Sequence, residues 1–557
     1  MDVLMAKLSV EQALLRAAAH MRKGEAESAK ALYDTVLVAY PKNTRAQKGL
    51  EKLNGVTHEK EDIKTPPKQQ LDALIASYNL GRFSELIEQS EHLIAEYPSS
   101  FLLWNILAAG RKALGQLAEA EQSFRRATEL NPTNAEVHNN MGVTLRAQGK
   151  LAEAIAAYHR ALEINPANAE AHYNMGNALQ EQGKLEEAVS AFHRALEIKP
   201  TYADAHNNMG VTLKEQGKLE EALASYAEAI RIKPDYAEAL YNRGLVRLRL
   251  HQFRAGFVDH LYRWNTKESG RFPQKAKIPR CEPDTLRGNL LLWAEQGIGD
   301  EVFYANLLPK ALTRDVSITL SADKRLHPIL ARSFPEVRLL DKAVLMQSSV
   351  DQGYDVQAPI GNLGYLLELD ADSIRATRSV YFKSDLHRRE GFGSLLSSRA
   401  SGLVCGIAWK SANQKFGADK SVNLSCFRSL LATPGVGFVN LQYGEVDAEI
   451  QSVKEELCAP VHQIEGLNIF NDIDGLLALI DACDVVITTS NVTAHLAGSI
   501  GKRAAVLVPY GKGRLWYWHD HDKYSLWYPS LRLFYQDNPF DWENPIAACS
   551  QWVRSLR

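Results

Sequence analysis

The chain has 557 residues, 64 of them basic and 66 acidic, for a formal net charge of −2. Its length allows several domains with separate cores, and its balanced charge argues against nucleic acid as the main partner, because binding phosphates calls for a basic excess. There is no apolar run of the roughly 18 residues a membrane span needs, and Met1 to Lys7 lacks the apolar core of a secretory signal, so neither is expected. Six scattered cysteines (Cys281, Cys405, Cys426, Cys458, Cys483 and Cys549) include no Cys-x-x-Cys pair. They point to free thiols in a reducing cytoplasm, most of them small buried hydrophobes.

The first half is periodic. Gly142, Gly176, Gly210 and Gly244 are 34 residues apart, and Ala154, Ala188 and Ala222 keep the same step. So do Tyr158, Phe192 and Tyr226, then Ala161, Ala195 and Ala229, and finally Pro132, Pro166, Pro200 and Pro234. A helix–turn–helix unit needs small residues where its helices touch, an aromatic to fill the gap, and a proline to end the second helix. The pattern resembles the tetratricopeptide repeat (TPR). It predicts an array over 1–270, with repeats near 10–43, 67–100, 101–134, 135–168, 169–202 and 203–236 and a degenerate cap at 237–270. The repeat at 10–43 rests on Gly24, Ala29 and Tyr33, and the stretch from Asn54 to Pro67 reads as a loop. Such arrays stack into a superhelix whose concave face, lined by the first helix of each pair, offers a groove for a peptide or protein. Asn140, Asn174, Asn208 and Asn242 share the 34-residue step on that first helix. An amide column of this kind either grips an extended backbone or ties neighbouring repeats together.

From Thr285 the texture changes to short apolar runs alternating with helical stretches, the pattern of parallel α/β units. Strands are expected at Asn289–Trp293, Val316–Leu320, Val337–Leu340, Leu403–Trp409, Phe438–Gln442, Asp484–Thr488 and Ala504–Val508. The fold class predicted is therefore an α-helical TPR superhelix followed by two Rossmann-like halves, 285–390 and 400–557, split near 385–402.

Three stretches carry candidate chemistry. Glu295-Gln296-Gly297-Ile298-Gly299-Asp300 follows a strand and opens a helix expected to end at Pro309. Gly297 and Gly299 let backbone pass close to a ligand, and Asp300 either takes a proton from an acceptor group or caps the helix. The second is Gly406-Ile407-Ala408-Trp409-Lys410-Ser411, where Lys410 and Ser411, with Asn413, Lys415, Lys420 and Ser421, suit an anionic group. The third is Asp484 to Gly498, an apolar strand running into a polar turn and a helix. There Ser490, Asn491 and Thr493 sit beside the helix's positive end, with His495 a further donor. The alternative is a well-capped helix with a satisfied core histidine.

Residues 288–540 resemble the GT-B glycosyltransferase domains fused to TPR arrays in bacteria. They are similar to the lipopolysaccharide heptosyltransferase family and, in plan, to eukaryotic O-GlcNAc transferase. The matching residues are Gln296–Asp300, Gly406–Lys410, Leu441-Gln442-Tyr443-Gly444, His495-Leu496-Ala497-Gly498 and Trp527–Phe534. The resemblance implies Asp300 as general base. It implies a donor phosphate held by Ser490, Asn491, Thr493 and His495, with Gly297, Gly299, Lys410, Ser411 and Gln442 completing the donor site. Many relatives carry Asp-Thr where this chain has Ser490-Asn491, a departure that points to another donor or to weakened catalysis. Gly511 to Trp518, with Lys512, Arg514, Trp516 and Trp518, is expected to close over the donor or simply to pack. The function implied is transfer of a sugar from a nucleotide-activated donor to a protein held by the TPR groove. Flagellin is one acceptor used by some bacterial proteins of this plan. No Asp-x-Asp pair stands out as a metal clamp, so no metal and no cofactor beyond the nucleotide-sugar is expected. Hydride transfer is disfavoured because Gly297-Ile298-Gly299-Asp300-Glu301-Val302 lacks the third glycine of a dinucleotide fingerprint. The competing reading is a non-catalytic adaptor with a retired transferase domain.

Overall fold

The computed structural model describes residues 10–23, 25–53, 65–267, 278–295, 297–347, 353–377, 380–399, 402–413, 417–457, 460–520 and 522–557. Gly24, Gln296, Lys415, Cys458, the first seven residues and 54–64 of the expected loop lie outside the described residues. The chain forms two compact units, 1–166 and 167–557. The division falls inside the repeat array.

The first unit holds the hairpins Val10–Arg22/Ala26–Ala39, Lys68–Asn79/Phe83–Glu96, Phe101–Ala113/Leu117–Leu130 and Ala135–Ala147/Leu151–Ile164. An unforeseen helix, Thr44–Leu53, packs on the first of them. The second unit continues with Ala169–Glu181/Leu185–Ile198, Ala203–Glu215/Leu219–Ile232 and Ala237–Arg249/Phe253–His260. Close packing explains the repeated glycines and aromatics. A Cβ on Gly142 would stand 2.6 Å from the Tyr158 ring, and on Gly176 or Gly210 it would stand 2.7 Å from Phe192 or Tyr226. Gly149, Gly183 and Gly217 end their first helices at φ of 76°, 83° and 79°, a left-handed conformation that glycine adopts at no steric cost.

The degenerate cap expected at 237–270 forms a complete last hairpin, followed by a 3-10 turn, Leu261–Asn265. Its sequence departs from the repeat because it packs on the α/β region. Phe253 and Phe257 share a core with Trp516, Trp527 and the first sheet, and Phe257 leaves no room for a Cβ on Gly364.

The α/β region contains two all-parallel sheets. The first is ordered β3-β2-β1-β4, from β1 (Gly288–Trp293), β2 (Val316–Ala322), β3 (Arg338–Asp341) and β4 (Val356–Pro359). The second is ordered β10-β9-β8-β5-β6-β7, from β5 (Leu403–Ala408), β6 (Val436–Asn440), β7 (Val461–His462), β8 (Val485–Thr489), β9 (Ala504–Val508) and β10 (Leu531–Tyr535). In the second, strand order reverses between β5 and β8, and such a switch point opens a crevice at the strands' carboxyl ends. Strands β8 and β9 are buried throughout, as parallel strands covered on both faces require.

Two local expectations need correcting. The helix after the first glycine motif ends at Ala305, and a separate short helix, Leu308–Ala311, takes up Pro309 at its start, where the missing N–H costs nothing. Strand β6 begins two residues earlier than expected, and β4, β7 and β10 were not anticipated. The stretch 385–402 holds one helix, Leu386–Arg399. That helix packs on Ile473–Ala482 and is tied to it through Arg388–Asp472, so it belongs with the second half.

Candidate functional site

The site grows from the switch point. At the end of β5 the backbone N–H groups of Trp409 and Lys410 donate to Gln442 Oε1, at 2.9 and 2.7 Å, while Gln442 Nε2 donates to the Tyr443 carbonyl. Gln442 is thus occupied in holding the strand end. Glu449 accepts from Trp409 Nε1 at 2.9 Å and is ion-paired with the Lys410 ammonium. Lys410 is consequently committed to a protein carboxylate. The Ser411 N–H donates to Ser421 Oγ, 3.1 Å away, and Gly417 lies so close beneath Ser411 that a Cβ there would stand 2.7 Å from the Ser411 carbonyl. This pinned loop delivers Lys420.

Lys420 is 4% exposed, and among the described residues its ammonium has neither an ion pair nor a hydrogen bond. Burial pulls its pKa down to about 8, with the charges of Asp300 and Asp419 opposing. Asp300 heads the helix Ile298–Ala305 across from it. Burial pushes the Asp300 carboxyl up to about 6; Lys420 holds it down, and Glu295 and Glu301 add to the rise. The two groups stabilise one another's charges without an ion pair. A carboxylate poised near neutrality beside a buried ammonium has the electrostatics of a proton acceptor paired with an anion-binding group. Sequence reasoning ranked Lys420 behind Lys410, because only the fold shows which lysine is already neutralised.

The third motif is more self-contained than expected. Asn491 caps its own helix, Val492–Ser499: Oδ1 accepts from Thr493 N at 2.9 Å and from Thr488 Oγ1 at 2.8 Å, and Nδ2 donates to the Lys410 carbonyl at 3.1 Å. Ser490 Oγ accepts from Trp518 Nε1 at 2.8 Å. Thr493 Oγ1 is sealed from solvent and has no hydrogen-bond partner among the described residues. Asn491 therefore corresponds to the well-capped helix, with no amide left for phosphate.

His495 does enter the site. It is 2% exposed and lies among Phe303, Tyr517, Trp518 and Tyr528, stacked on Trp518 at 22°. A Cβ on Gly299 would stand 3.7 Å from its Cδ2, so the first and third motifs meet across the two halves. Gly297 faces open space. Burial, then Lys420, lowers the His495 pKa to about 3, so the ring is neutral.

Behind the first motif, Arg263 from the end of the helical region reaches Glu295 through two hydrogen bonds of 2.8 Å. It also reaches Asn362 Oδ1 at 2.7 Å and the His260 carbonyl at 3.0 Å. Glu295 Oε1 accepts from the Gly361 N–H at 2.9 Å, an approach that a side chain at Gly361 would block. Arg514 and Arg249 share Asp520, and Lys512 pairs with Glu215. The 511–518 segment is thereby fastened to the last hairpins, with Trp518 reaching the site.

Asp-x-Asp pairs do occur, at 370/372, 472/474 and 520/522, but their carboxylates are engaged. Asp370 caps a helix, Asp372 pairs with Arg375, Asp472 with Arg388, Asp474 with Arg332, Asp520 with Arg249 and Arg514, and Asp522 with His251. Among the described residues no cluster of three or more His, Cys, Asp or Glu is placed to hold a metal. No described helix is long and apolar enough to cross a membrane.

In the second unit Asn208 and Asn242 of the asparagine column are bonded to neighbouring side chains outside the column. Asn242 Nδ2 donates to Asn207 Oδ1 (3.2 Å), Asn207 Nδ2 to Asn208 Oδ1 (3.0 Å), and Asn208 Nδ2 to Asn177 Oδ1 (2.7 Å) and Tyr173 OH (3.1 Å). Asn208 has spent both donor hydrogens, so tying repeats together is its visible role. Asn174 is buried on the same helix as Asn177, and Asn140, in the first unit, is half-buried.

Family models described as TPR repeat match residues 144–183, 176–217 and 212–250, and models described as tetratricopeptide repeat match 104–134 and 123–156. Over 317 residues the chain is 32% identical to Protein FlbA of Caulobacter vibrioides, an alignment covering 53% of this chain. The chain spans about half the length of that curated relative, 52%. Among solved structures it resembles YrrB, described as a TPR protein with an unusual peptide-binding site, at 24% identity over 33% of this chain and 95% of that one (TM-score 0.29). It also resembles PilW, described as a widely conserved type IV pilus biogenesis factor, at 21% identity over 35% and 91% (TM-score 0.34). The helical part of the chain thus carries tetratricopeptide repeats, a type of repeat that binds peptides or proteins, ahead of an α/β region with two parallel sheets.

Proposed function

We propose that the chain is a GT-B glycosyltransferase that moves a sugar from a nucleotide-activated donor to a protein side chain delivered by the TPR array, in the cytoplasm. The observation that carries this reading is the meeting of Asp300, Lys420 and His495 where the carboxyl ends of the two sheets face each other. In the proposed reaction Asp300 takes the proton of the acceptor hydroxyl, and the acceptor oxygen bonds to the anomeric carbon. The bond from that carbon to the donor phosphate breaks, and Lys420 takes up the charge left on the phosphate. Flagellin is an acceptor compatible with this plan.

Calorimetry with a panel of nucleotides and intact-mass comparison of proteins from cells with and without the chain test the proposal. Asp300→Asn is expected to lower turnover about a hundredfold while leaving nucleotide binding intact. Unchanged turnover removes Asp300 from the role of base. The second reading, a TPR adaptor with a retired transferase region, is favoured by the self-satisfied Asn491 turn, and binding of no nucleotide by the chain would establish it.

A further inference from the structure

Three hydrogen bonds behind His495 fix where its proton lies. Tyr381 OH stands 2.7 Å from the Val302 carbonyl, which can only accept, so the single phenolic proton of Tyr381 points there. The Tyr381 and Tyr528 oxygens are 3.2 Å apart, and the proton between them must then be that of Tyr528. Tyr528 has none left for His495, whose Nδ1 lies 3.2 Å from the same oxygen. Every contact in the chain is satisfied only if His495 donates from Nδ1.

A neutral imidazole protonated at Nδ1 carries its lone pair on Nε2. That edge of the ring faces the first motif: Cδ2, bonded to Nε2, is the atom a Cβ on Gly299 would meet, at 3.7 Å, one residue before Asp300. Nε2 makes no hydrogen bond among the described residues.

We propose that His495 Nε2 accepts a hydrogen bond from a substrate hydroxyl, and that Tyr528 and Tyr381 hold the ring in the tautomer this requires. Phosphate oxygens are themselves acceptors and are repelled by the lone pair, so the anionic end of a ligand belongs beside Lys420 and a hydroxyl-bearing carbon beside His495. This replaces the sequence-based assignment of His495 as a phosphate donor. The hydroxyl's identity, on the sugar or on the acceptor side chain, rests on the transferase reading; the tautomer does not.

Two measurements on the full chain decide it. Nitrogen NMR of the 15N-histidine-labelled protein, with the His495 signals identified by their loss in His495→Asn, is expected to show a protonated Nδ1 and a bare Nε2. In Tyr528→Phe that pattern is expected to weaken. A protonated Nε2, or a cationic ring, at neutral pH overturns the proposal.

Binding of bare nucleotides and of sugar nucleotides supplies the second readout. His495→Asn, whose side chain reaches only the Nδ1 position, is expected to bind bare nucleotides normally and to lose about tenfold in sugar-nucleotide affinity or in acceptor kcat/KM, the worth of one hydrogen bond. His495→Gln, which places an amide oxygen at the Nε2 position, is expected to recover most of that loss. Weakened binding of bare nucleotides in His495→Asn would return His495 to the phosphate. Failure of the unaltered chain to bind any nucleotide sinks the transferase reading and the hydroxyl assignment with it, whereas the NMR pattern stands or falls separately.

Discussion

The side-chain amide of Asn491 donates to the backbone carbonyl of Lys410, 3.1 Å away, and so bridges the carboxyl ends of β8 and β5 on either side of the switch point. The same side chain caps the following helix, so it serves two elements at once. Asn491→Asp keeps the cap but sets a carboxylate against that carbonyl. It is expected to destabilise the chain by about 1–3 kcal/mol, read as a lowered melting temperature. A variant as stable as the unaltered chain would show the bridge to be dispensable.

The two lysines at the site should separate cleanly. Lys420→Met removes the buried ammonium that has no ion pair or hydrogen bond among the described residues and is expected to weaken nucleotide binding by about one to two orders of magnitude. Lys410→Ala removes an ammonium already paired with Glu449 and is expected to change binding by less than about threefold. Calorimetry on both variants checks the ranking, and the reverse order would restore Lys410 to the phosphate.

Activity should describe a bell against pH. Asp300 accepts a proton only when ionised, above about 6, and Lys420 holds an anion only when protonated, below about 8. Turnover is expected to fall on both sides of that window. Stability has its own signature. The folded state favours protonated Asp300, so this group's contribution is complete below its unperturbed value of 3.8 and is lost as pH rises through about 6. The melting-temperature advantage of Asp300→Asn over the unaltered chain should therefore grow between those two pH values and then level off.

Arg263 and Glu295 are both almost fully buried, with side-chain exposures of 5% and 2%. Glu295→Gln leaves the guanidinium without its carboxylate and is expected to cost about 3–5 kcal/mol. Because Glu295 stands just ahead of Gly297 and Asp300, turnover should fall with stability, and chemical denaturation measured alongside turnover would show whether the two move together.

Much of the architecture was legible in the amino-acid order, because its causes are local. The 34-residue step places Gly142, Gly176 and Gly210 against Tyr158, Phe192 and Tyr226 within single hairpins, and the hairpins form where the step places them. The apolar runs that became β1, β2, β5, β8 and β9 are buried parallel strands whose composition alone sets them apart from helices. Strand β10 escaped notice because polar and apolar residues mix along it, and β7 because two residues carry no period.

The site was only half legible for the opposite reason. Asp300 and His495 stood out in strand–turn–helix motifs, but the properties that decide their chemistry come from residues far away in the chain. Asn491 closes on Lys410, Tyr381 and Tyr528 set the proton on His495, Glu449 neutralises Lys410, and Lys420 is buried beside the charge of Asp300. Each depends on groups brought together by strand order and helix packing. Local patterns along the chain fix which elements form. Which lysine is left charged in a buried crevice, and which histidine nitrogen keeps its lone pair, depend on how those elements are set against one another.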